Sequence, residues 1–135
     1  MFQGPRFQSV SEITAMACDG LRGVVTPSGA PGAVLDGAGQ LCGHWIQVYG
    51  EKDQTVFPTG IGRVTLYGPP PPEGDRLEAT VWNRTMSATG VTYDIELVRA
   101  PGGALWGRVE GWTARRFTTD EATWRMQLTP ELSGV

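Results

Sequence analysis

Apolar and polar residues alternate along several short segments of the chain, which predicts a largely antiparallel β structure. The clearest alternation runs from Val91 to Leu97, where every second residue is apolar, as expected for a strand with one buried face. Weaker patterns predict further strands at 7–17, 21–26, 57–67, 77–81 and 105–117. On the last of these, simple alternation places Trp106, Arg108 and Glu110 on one face and Leu105, Val109 and Gly111 on the other.

One segment, from about Leu35 to Tyr49, repeats its apolar residues at helical spacing instead. It contains Gly37, Gly39 and Gly43, and each glycine costs about 1 kcal/mol relative to alanine inside a helix. We therefore expect this helix to pack closely against a sheet or a ligand. The order of elements predicts an α+β domain in which a curved antiparallel sheet wraps around one long central helix.

Composition and charge narrow the functional classes. The 135 residues fit a single domain, 1–135, with 40% hydrophobic and 19% charged residues. A formal net charge of -3 argues against nucleic acid and anionic membranes as partners. No apolar run has the length of a membrane span and no signal peptide is recognisable, so we expect a cytoplasmic protein. Cys18 and Cys42 form no metal-like motif and are expected to be buried.

Asp36 and Gln40 lie four residues apart, so they share one face of the predicted helix. Asp36 is also close to the expected helix start, where aspartate is a preferred N-cap, and capping is the simplest interpretation. The alternative is a proton-donating acid. Apolar surroundings would favour its protonated form, whereas a helix N-terminus favours the carboxylate, and the sequence leaves the balance open.

Five segments taken in order resemble the second hot-dog half of dehydratase domains in type I polyketide synthases. They are GPRFQ at 4–8, LDGAGQ at 35–40, FPTGIG at 57–62, YGP at 67–69 and EGWTARRF at 110–117. The iterative synthases, including those for enediynes and polyunsaturated fatty acids, are the most similar kind. The resemblance extends over nearly the whole chain.

The resemblance implies a double hot-dog domain of which this chain is the C-terminal half. The N-terminal half would supply a histidine from an HxxxGxxxxP motif, and this half the aspartate of a DxxxQ motif, which falls on Asp36 with Gln40 beside it. The implied reaction removes water from a 3-hydroxyacyl chain on an acyl carrier protein. The chain is carried on phosphopantetheine, and no other cofactor is expected. The residues expected near the substrate are Gly37, His44, Pro5 and Phe7.

The chain departs from that family in two ways. It has no HxxxGxxxxP motif, and its one histidine is His44, which follows Asp36 and Gln40 at helical spacing. A partly buried, hydrogen-bonded histidine is the ordinary interpretation, and a substitute base is the alternative. The family often has an aromatic residue or histidine before the Gly-Pro pair, where this chain has Gln3.

Two other functions stay open. A free-standing homodimeric hydratase or thioesterase would need its own base, from His44, Glu12 or Glu51. A non-catalytic half would bind acyl chains or act as a scaffold. A lone half would expose an apolar face, so we expect a homodimer.

Two further groups of residues have ordinary and functional interpretations. Arg115 and Arg116 are expected at a solvated strand end, with phosphate binding as the alternative. The tryptophans are expected in the core or an interface, and some in an acyl tunnel: Trp45, Trp82, Trp106, Trp112 and Trp124.

Overall fold

One long helix and a seven-stranded antiparallel sheet make up the computed structural model, which describes residues 4–50, 54–100 and 102–118. Gln3, Glu51 and Trp124 lie outside these residues. A 3-10 turn at Pro5–Phe7 comes first. It is followed by β1 Val10–Ala17, β2 Gly20–Val25, α1 Ala33–Tyr49, β3 Gln54–Gly60, β4 Arg63–Leu66, β5 Arg76–Met86, β6 Gly90–Ala100 and β7 Ala104–Thr118.

The strands are arranged in the order β1-β2-β5-β6-β7-β3, and β4 also pairs with β7. β5 and β6 form the long central ladder, in register from Arg76 opposite Ala100 to Met86 opposite Val91. The predicted alternation on β6 is confirmed, because Val91, Ile95 and the residues in phase with them are at most 1% exposed. One face of the sheet is therefore apolar and faces the helix.

The helix lies against this apolar face and is contacted by strands that are far apart in the sheet order, β1 and β6. Leu41 and Trp45 are at most 1% exposed. The indole N–H of Trp45 donates to the carbonyl of Ala17 in β1 at 2.9 Å, and its ring meets Tyr93 of β6 edge-on at 5.7 Å. Because strands so far apart in the sheet reach one helix, the sheet curves around it, as the sequence predicted.

Two glycines of α1 allow the helix to lie very close to the sheet. A Cβ on Gly37 would lie 3.0 Å from Cγ1 of Val25, and a Cβ on Gly39 would lie 2.5 Å from Cη2 of Trp112. Val25 belongs to β2 and Trp112 to β7, so the two contacts come from different parts of the sheet. The prediction that helix glycines mark close packing is confirmed at these positions.

Several predicted boundaries were wrong. The helix begins at Ala33 rather than Leu35, and Phe7 lies in the 3-10 turn rather than in the first strand. The predicted strand 57–67 is two strands, β3 and β4. The strand is interrupted between them, where the N–H of Gly62 donates to the carbonyls of both Glu110 and Gly111, at 3.0 and 3.1 Å.

The simple alternation predicted for β7 was also wrong. Ile95 pairs with Val109 and Tyr93 with Trp112, so three steps along β7 match two along β6. This is a β-bulge, and Gly111 within it has a φ of 70°. A second register shift lies at Trp106, because Leu97 pairs with Gly107 and Val98 with Leu105. Trp106 and Val109, predicted on opposite faces, are both buried, at 5% and 0% exposure.

The exposure predicted for the two cysteines and for Arg115 and Arg116 agrees with the structure only in part. Cys18 is exposed although it was predicted to be buried, whereas Cys42 is buried. Arg115 is exposed, with its guanidinium 5.2 Å from the ring centroid of Phe117. Arg116 is only 7% exposed and donates to the carbonyl of Ser87, so the prediction of a solvated strand end was wrong for this residue.

No helix within the described residues is long and apolar enough to cross a membrane.

Candidate active site

Asp36 lies in the first turn of α1 and does not cap it. The N-cap is Gly32, which has a φ of 78° and makes no side-chain capping bond. The backbone N–H of Asp36 donates to the carbonyl of Gly32 at 2.9 Å, so Asp36 already belongs to the helical ladder. The capping interpretation of this residue was therefore wrong. Its side chain is half-buried.

Gln40 connects two of the five segments that carried the sequence resemblance, 4–8 and 35–40. Its Nε2 donates to Oδ2 of Asp36 at 2.6 Å and to the carbonyl of Phe7 at 2.7 Å. A side-chain amide nitrogen has two hydrogens, so both are used. Gln40 is only 8% exposed, which adds to the cost of breaking either bond. The other carboxylate oxygen, Oδ1 of Asp36, has no hydrogen-bond partner within the described ranges.

The turn that presents the Phe7 carbonyl is itself held in place. The N–H of Phe7 donates to the carbonyl of Gly4 at 2.9 Å, closing the 3-10 turn. Ser28, in the loop before α1, donates its hydroxyl to the carbonyl of Arg6. Pro5 and Phe7 have exposed side chains, so it is the backbone of Phe7 that reaches the buried amide.

Gly37, predicted near the substrate, is buried against the sheet. The position of its missing Cβ is 3.0 Å from Val25 and 3.1 Å from Cβ of Ser9. The glycine thus lets the first helical turn approach β2. Ser9 is 1% exposed, and its hydroxyl makes no hydrogen bond to any described residue.

His44 is half-buried on α1, eight residues after Asp36. No residue in the described part of the chain hydrogen-bonds to its ring, so the ordinary interpretation of a hydrogen-bonded histidine finds no partner there. Glu12, another candidate base, forms an ion pair with Arg76 at 3.2 Å. Among the described residues there is no cluster of three or more His, Cys, Asp or Glu side chains that would hold a metal ion.

Two protic groups in the core are kept neutral. Burial raises the pKa of the Cys42 thiol well above its usual range. Burial, together with the nearby Cys42, likewise raises the pKa of Tyr93, whose hydroxyl donates to the carbonyl of Cys42 at 3.4 Å. Neither group is available as a base or nucleophile near neutral pH.

Trp112 is a further neighbour of the site, which the sequence named only as one of five tryptophans for the core, an interface or an acyl tunnel. It contacts Gly39, which lies three residues after Asp36 on the helix. Residues three apart are neighbours on a helix surface, so the indole is close to the helix face that carries Asp36. The one feature of the sequence that could have indicated this position of Trp112 is Gly111, since a glycine inside a strand pattern often marks a bulge.

Similarity to solved structures supports the fold. The dehydratase domain from the CurJ module of curacin polyketide synthase matches 85% of this chain with 17% identity and a TM-score of 0.67. The dehydratase domain of a mycocerosic acid synthase-like polyketide synthase matches 89% of it with 21% identity and a TM-score of 0.67. The chain spans 44% of the length of each of these domains.

A single-domain protein is similar too. A thioesterase from Haemophilus influenzae matches 81% of this chain and 79% of its own length, with 14% identity and a TM-score of 0.64. No curated protein sequence matches the chain. The curved antiparallel sheet with one helix is thus the hot-dog fold, which confirms the predicted fold class.

The family relationship comes from the sequence comparison. Residues 1–123 match the family model described as polyketide synthase dehydratase N-terminal domain. The matched stretch includes the 3-10 turn, α1 and all seven strands of the sheet. The chain therefore belongs to the polyketide synthase dehydratase family.

Proposed function

We propose that this chain is the aspartate-bearing half of a 3-hydroxyacyl-[acyl carrier protein] dehydratase in polyketide or fatty-acid-like biosynthesis. The observation that supports it best is the amide of Gln40, which joins Asp36 to the Phe7 carbonyl. Two motifs that lie about thirty residues apart in the sequence thus meet at one carboxylate. Its second oxygen has no partner among the described residues and is the natural contact for a substrate hydroxyl.

In the proposed reaction Asp36 acts as the general acid. A base removes a proton from Cα of the acyl chain, and the double bond forms as the bond between Cβ and the hydroxyl oxygen breaks. The leaving oxygen takes the electron pair and a proton from Oδ1 of Asp36, so water departs and a carboxylate remains. Gln40 holds Oδ2, which directs the other oxygen toward the substrate.

The base is proposed to come from a second hot-dog half. The matched family is described by its N-terminal domain, whereas the GPRFQ and LDGAGQ segments support the C-terminal half of an iterative, enediyne-like or polyunsaturated-fatty-acid-like synthase. The dehydratase domains with similar structures are about twice the length of this chain, which agrees with a missing half. The substrate would arrive on the phosphopantetheine of an acyl carrier protein, in the cytoplasm.

The open edge of the sheet is the proposed surface for that half. β3 is the last strand in the sheet order, and no described strand pairs with it on the side away from β7. Phe57 on β3 is 52% exposed and Phe117 on β7 is 42% exposed, and their rings meet at 6.1 Å. An exposed aromatic pair beside an edge strand is expected to associate with another chain.

The decisive experiment is a dehydration assay on the complete two-half domain with Asp36→Asn. Asparagine keeps the shape of the side chain and can still accept from Gln40, but it cannot donate an acidic proton. We expect the rate to fall by about 100-fold or more, the usual contribution of a general acid. Asp19→Asn, in the exposed turn between β1 and β2, is the matched control. Normal activity of the Asp36→Asn domain would contradict the proposal.

A second candidate function is acyl-thioester hydrolysis by a free-standing homodimer. It is favoured by the similarity to the Haemophilus influenzae thioesterase, which covers most of that protein rather than half of it. The chain alone would then hydrolyse acyl thioesters, and His44→Ala would abolish the activity. Tight binding of an acyl thioester by the chain, with neither hydrolysis nor dehydration in the two-half domain, would instead indicate a non-catalytic acyl-binding half.

A further inference from the structure

Trp112 lies against α1 beside the proposed acid. A Cβ at position 39 would be 2.5 Å from Cη2 of the indole, so the edge of the ring occupies the space that a side chain there would fill. Gly39 and Asp36 are neighbours on the helix surface because they are three residues apart. No side chain at position 39 therefore separates the indole from the helix face of Asp36.

The backbone of β7 directs the indole to this place. The bulge between Val109 and Trp112 shifts the register of β7 against β6 and includes Gly111, with its φ of 70°. The N–H of Gly111 donates to Oδ1 of Asp94 at 2.9 Å, and Oδ2 of Asp94 accepts from Nε of Arg84 at 2.8 Å. Bulges commonly re-aim a side chain next to a functional site. Here the bulge is secured by an ion pair.

Trp112 also differs from the two fully buried tryptophans of the core, Trp45 and Trp106. The indole N–H of Trp45 donates to the Ala17 carbonyl, and that of Trp106 donates to the Pro69 carbonyl, each at 2.9 Å. Both rings are at most 5% exposed. Trp112 is only partly buried, and its N–H makes no hydrogen bond to residues within 4–50, 54–100 or 102–118. Part of its ring surface is thus left uncovered by those residues.

A partly open indole next to an acid is suited to a substrate that is polar at one end and apolar at the other. We infer that Trp112 is a specificity-determining residue, whose ring contacts the acyl chain when the β-hydroxyl reaches Oδ1 of Asp36. This inference rests on the proposed dehydration. The indole limits the room available beyond the β-carbon, so it selects against longer acyl chains.

The first experiment compares short and long substrates on the complete two-half domain. The value of kcat/KM is measured for 3-hydroxybutyryl and 3-hydroxyoctanoyl thioesters, in the wild type and in Trp112→Ala. We expect the preference to shift toward the longer chain by about tenfold or more, the usual scale for added methylenes in an apolar pocket. The pH profile should not move, because no titrating group is changed.

Matched variants separate this effect from a loss of folding. Trp82 is also partly buried, but its ring lies 5.7 Å from the guanidinium of Arg84, a surface ion-pair residue. Trp82→Ala should leave the ratio of the two kcat/KM values unchanged. Trp112→Phe keeps an aromatic ring and should give an intermediate ratio if Trp112→Ala folds poorly. An unchanged ratio in both Trp112 variants would overturn the inference.

A binding measurement distinguishes failure of this inference from failure of the proposed function. If Asp36→Asn is inactive while the Trp112 variants keep the wild-type ratio, the acid is supported and the role of Trp112 is refuted. If Asp36→Asn is fully active, the proposed role of Asp36 as the general acid fails. The affinity for octanoyl-pantetheine amide then decides: a change of about fivefold or more in Trp112→Ala supports the acyl contact, and no change refutes it.

Discussion

Nε2 of Gln40 lies 2.6 Å from Oδ2 of Asp36 and 2.7 Å from the carbonyl oxygen of Phe7. The contact to Asp36 is local, one helical turn away, but the contact to Phe7 spans 33 residues of sequence. One buried amide therefore fixes both the position of the 3-10 turn and the orientation of the carboxylate. Its removal should affect stability and catalysis together.

The first prediction concerns Gln40→Ala. Two hydrogen bonds are lost, and the Phe7 carbonyl is left without this donor, so the free energy of unfolding should fall by about 1–3 kcal/mol. Because Asp36 is no longer oriented, kcat of the two-half domain should fall by about tenfold or more while KM changes little. Urea unfolding and steady-state kinetics measure the two effects.

Gln47→Ala is the matched control for this variant. Gln47 is exposed on the same helix, and its replacement should change the free energy of unfolding by no more than about 0.5 kcal/mol. Loss of stability in Gln40→Ala without any loss of kcat would mean that the amide has only a structural role.

The second prediction uses the contact between Gly39 and Trp112. Gly39→Ala gains about 1 kcal/mol in helix propensity, but the new methyl group would lie 2.5 Å from the rigid indole. The crowding should dominate, so that the variant is destabilised by about 1–3 kcal/mol. In a Trp112→Ala background the obstacle is gone, and the same substitution should stabilise the chain. Chemical unfolding of the four proteins gives the coupling energy.

Gly68→Ala serves as the control, because no atom lies within 4 Å of its Cβ position. It should behave identically with and without Trp112. If Gly39→Ala were equally destabilising in both backgrounds, the clash would not be with the indole.

The third prediction is the acid sensitivity of the bulge. Burial raises the pKa of Asp94, but the hydrogen bonds from the Gly111 N–H and Arg84 and the charges of Arg84 and Arg108 outweigh it, so the pKa is lowered from its usual 3.8. A lowered pKa in the folded state means that Asp94 stabilises the fold above its unfolded pKa. This contribution is lost as the pH falls through the folded value.

Asp94→Asn should therefore flatten the pH dependence of stability below about pH 4, while keeping an oxygen acceptor for Gly111. Thermal unfolding from neutral pH down to acid measures the slope. Asp19→Asn, in an exposed turn, is the comparison. An equally steep acid dependence in Asp94→Asn and the wild type would exclude Asp94 as the source.

The fourth prediction is that the isolated chain forms a homodimer through the open edge at β3. Phe57→Asp places a charge on the exposed aromatic pair and should weaken dimerisation by about tenfold or more. Ile13→Asp is the control, since Ile13 is 39% exposed on β1 at the other end of the sheet. Light scattering across a concentration series measures both. A wild-type chain that stays monomeric at high concentration, or an equal effect of Ile13→Asp, would rule out this interface.

The parts of the fold that could be predicted from the sequence have clear local patterns. α1 repeats its apolar residues at helical spacing, and β6 alternates them from Val91 to Leu97. These regular repeats leave little doubt about which type of element each segment forms. The contact between Asp36 and Gln40 was predictable for the same reason, because helix geometry alone places residues four apart together.

The features that could not be predicted from the sequence depend on contacts between distant segments. Nothing near Gln40 in the sequence indicates the Phe7 carbonyl, and nothing near Arg116 indicates its burial against the Ser87 turn. The bulge at Gly111 moved Trp112 out of the simple alternation and so concealed its approach to the helix. A local pattern gives the faces of an element only as long as its register is unbroken.

The helix that carries Asp36 is fixed at three separate points of the sheet. β1 accepts from Trp45, β2 packs on Gly37 and β7 packs on Gly39. The amides in the middle of α1 cannot exchange with solvent by fraying of one end, since any larger opening breaks contacts to several strands at once. Their hydrogen exchange should therefore proceed only by global unfolding, at the full unfolding free energy. The proposed acid and the whole sheet thus belong to one cooperative unit.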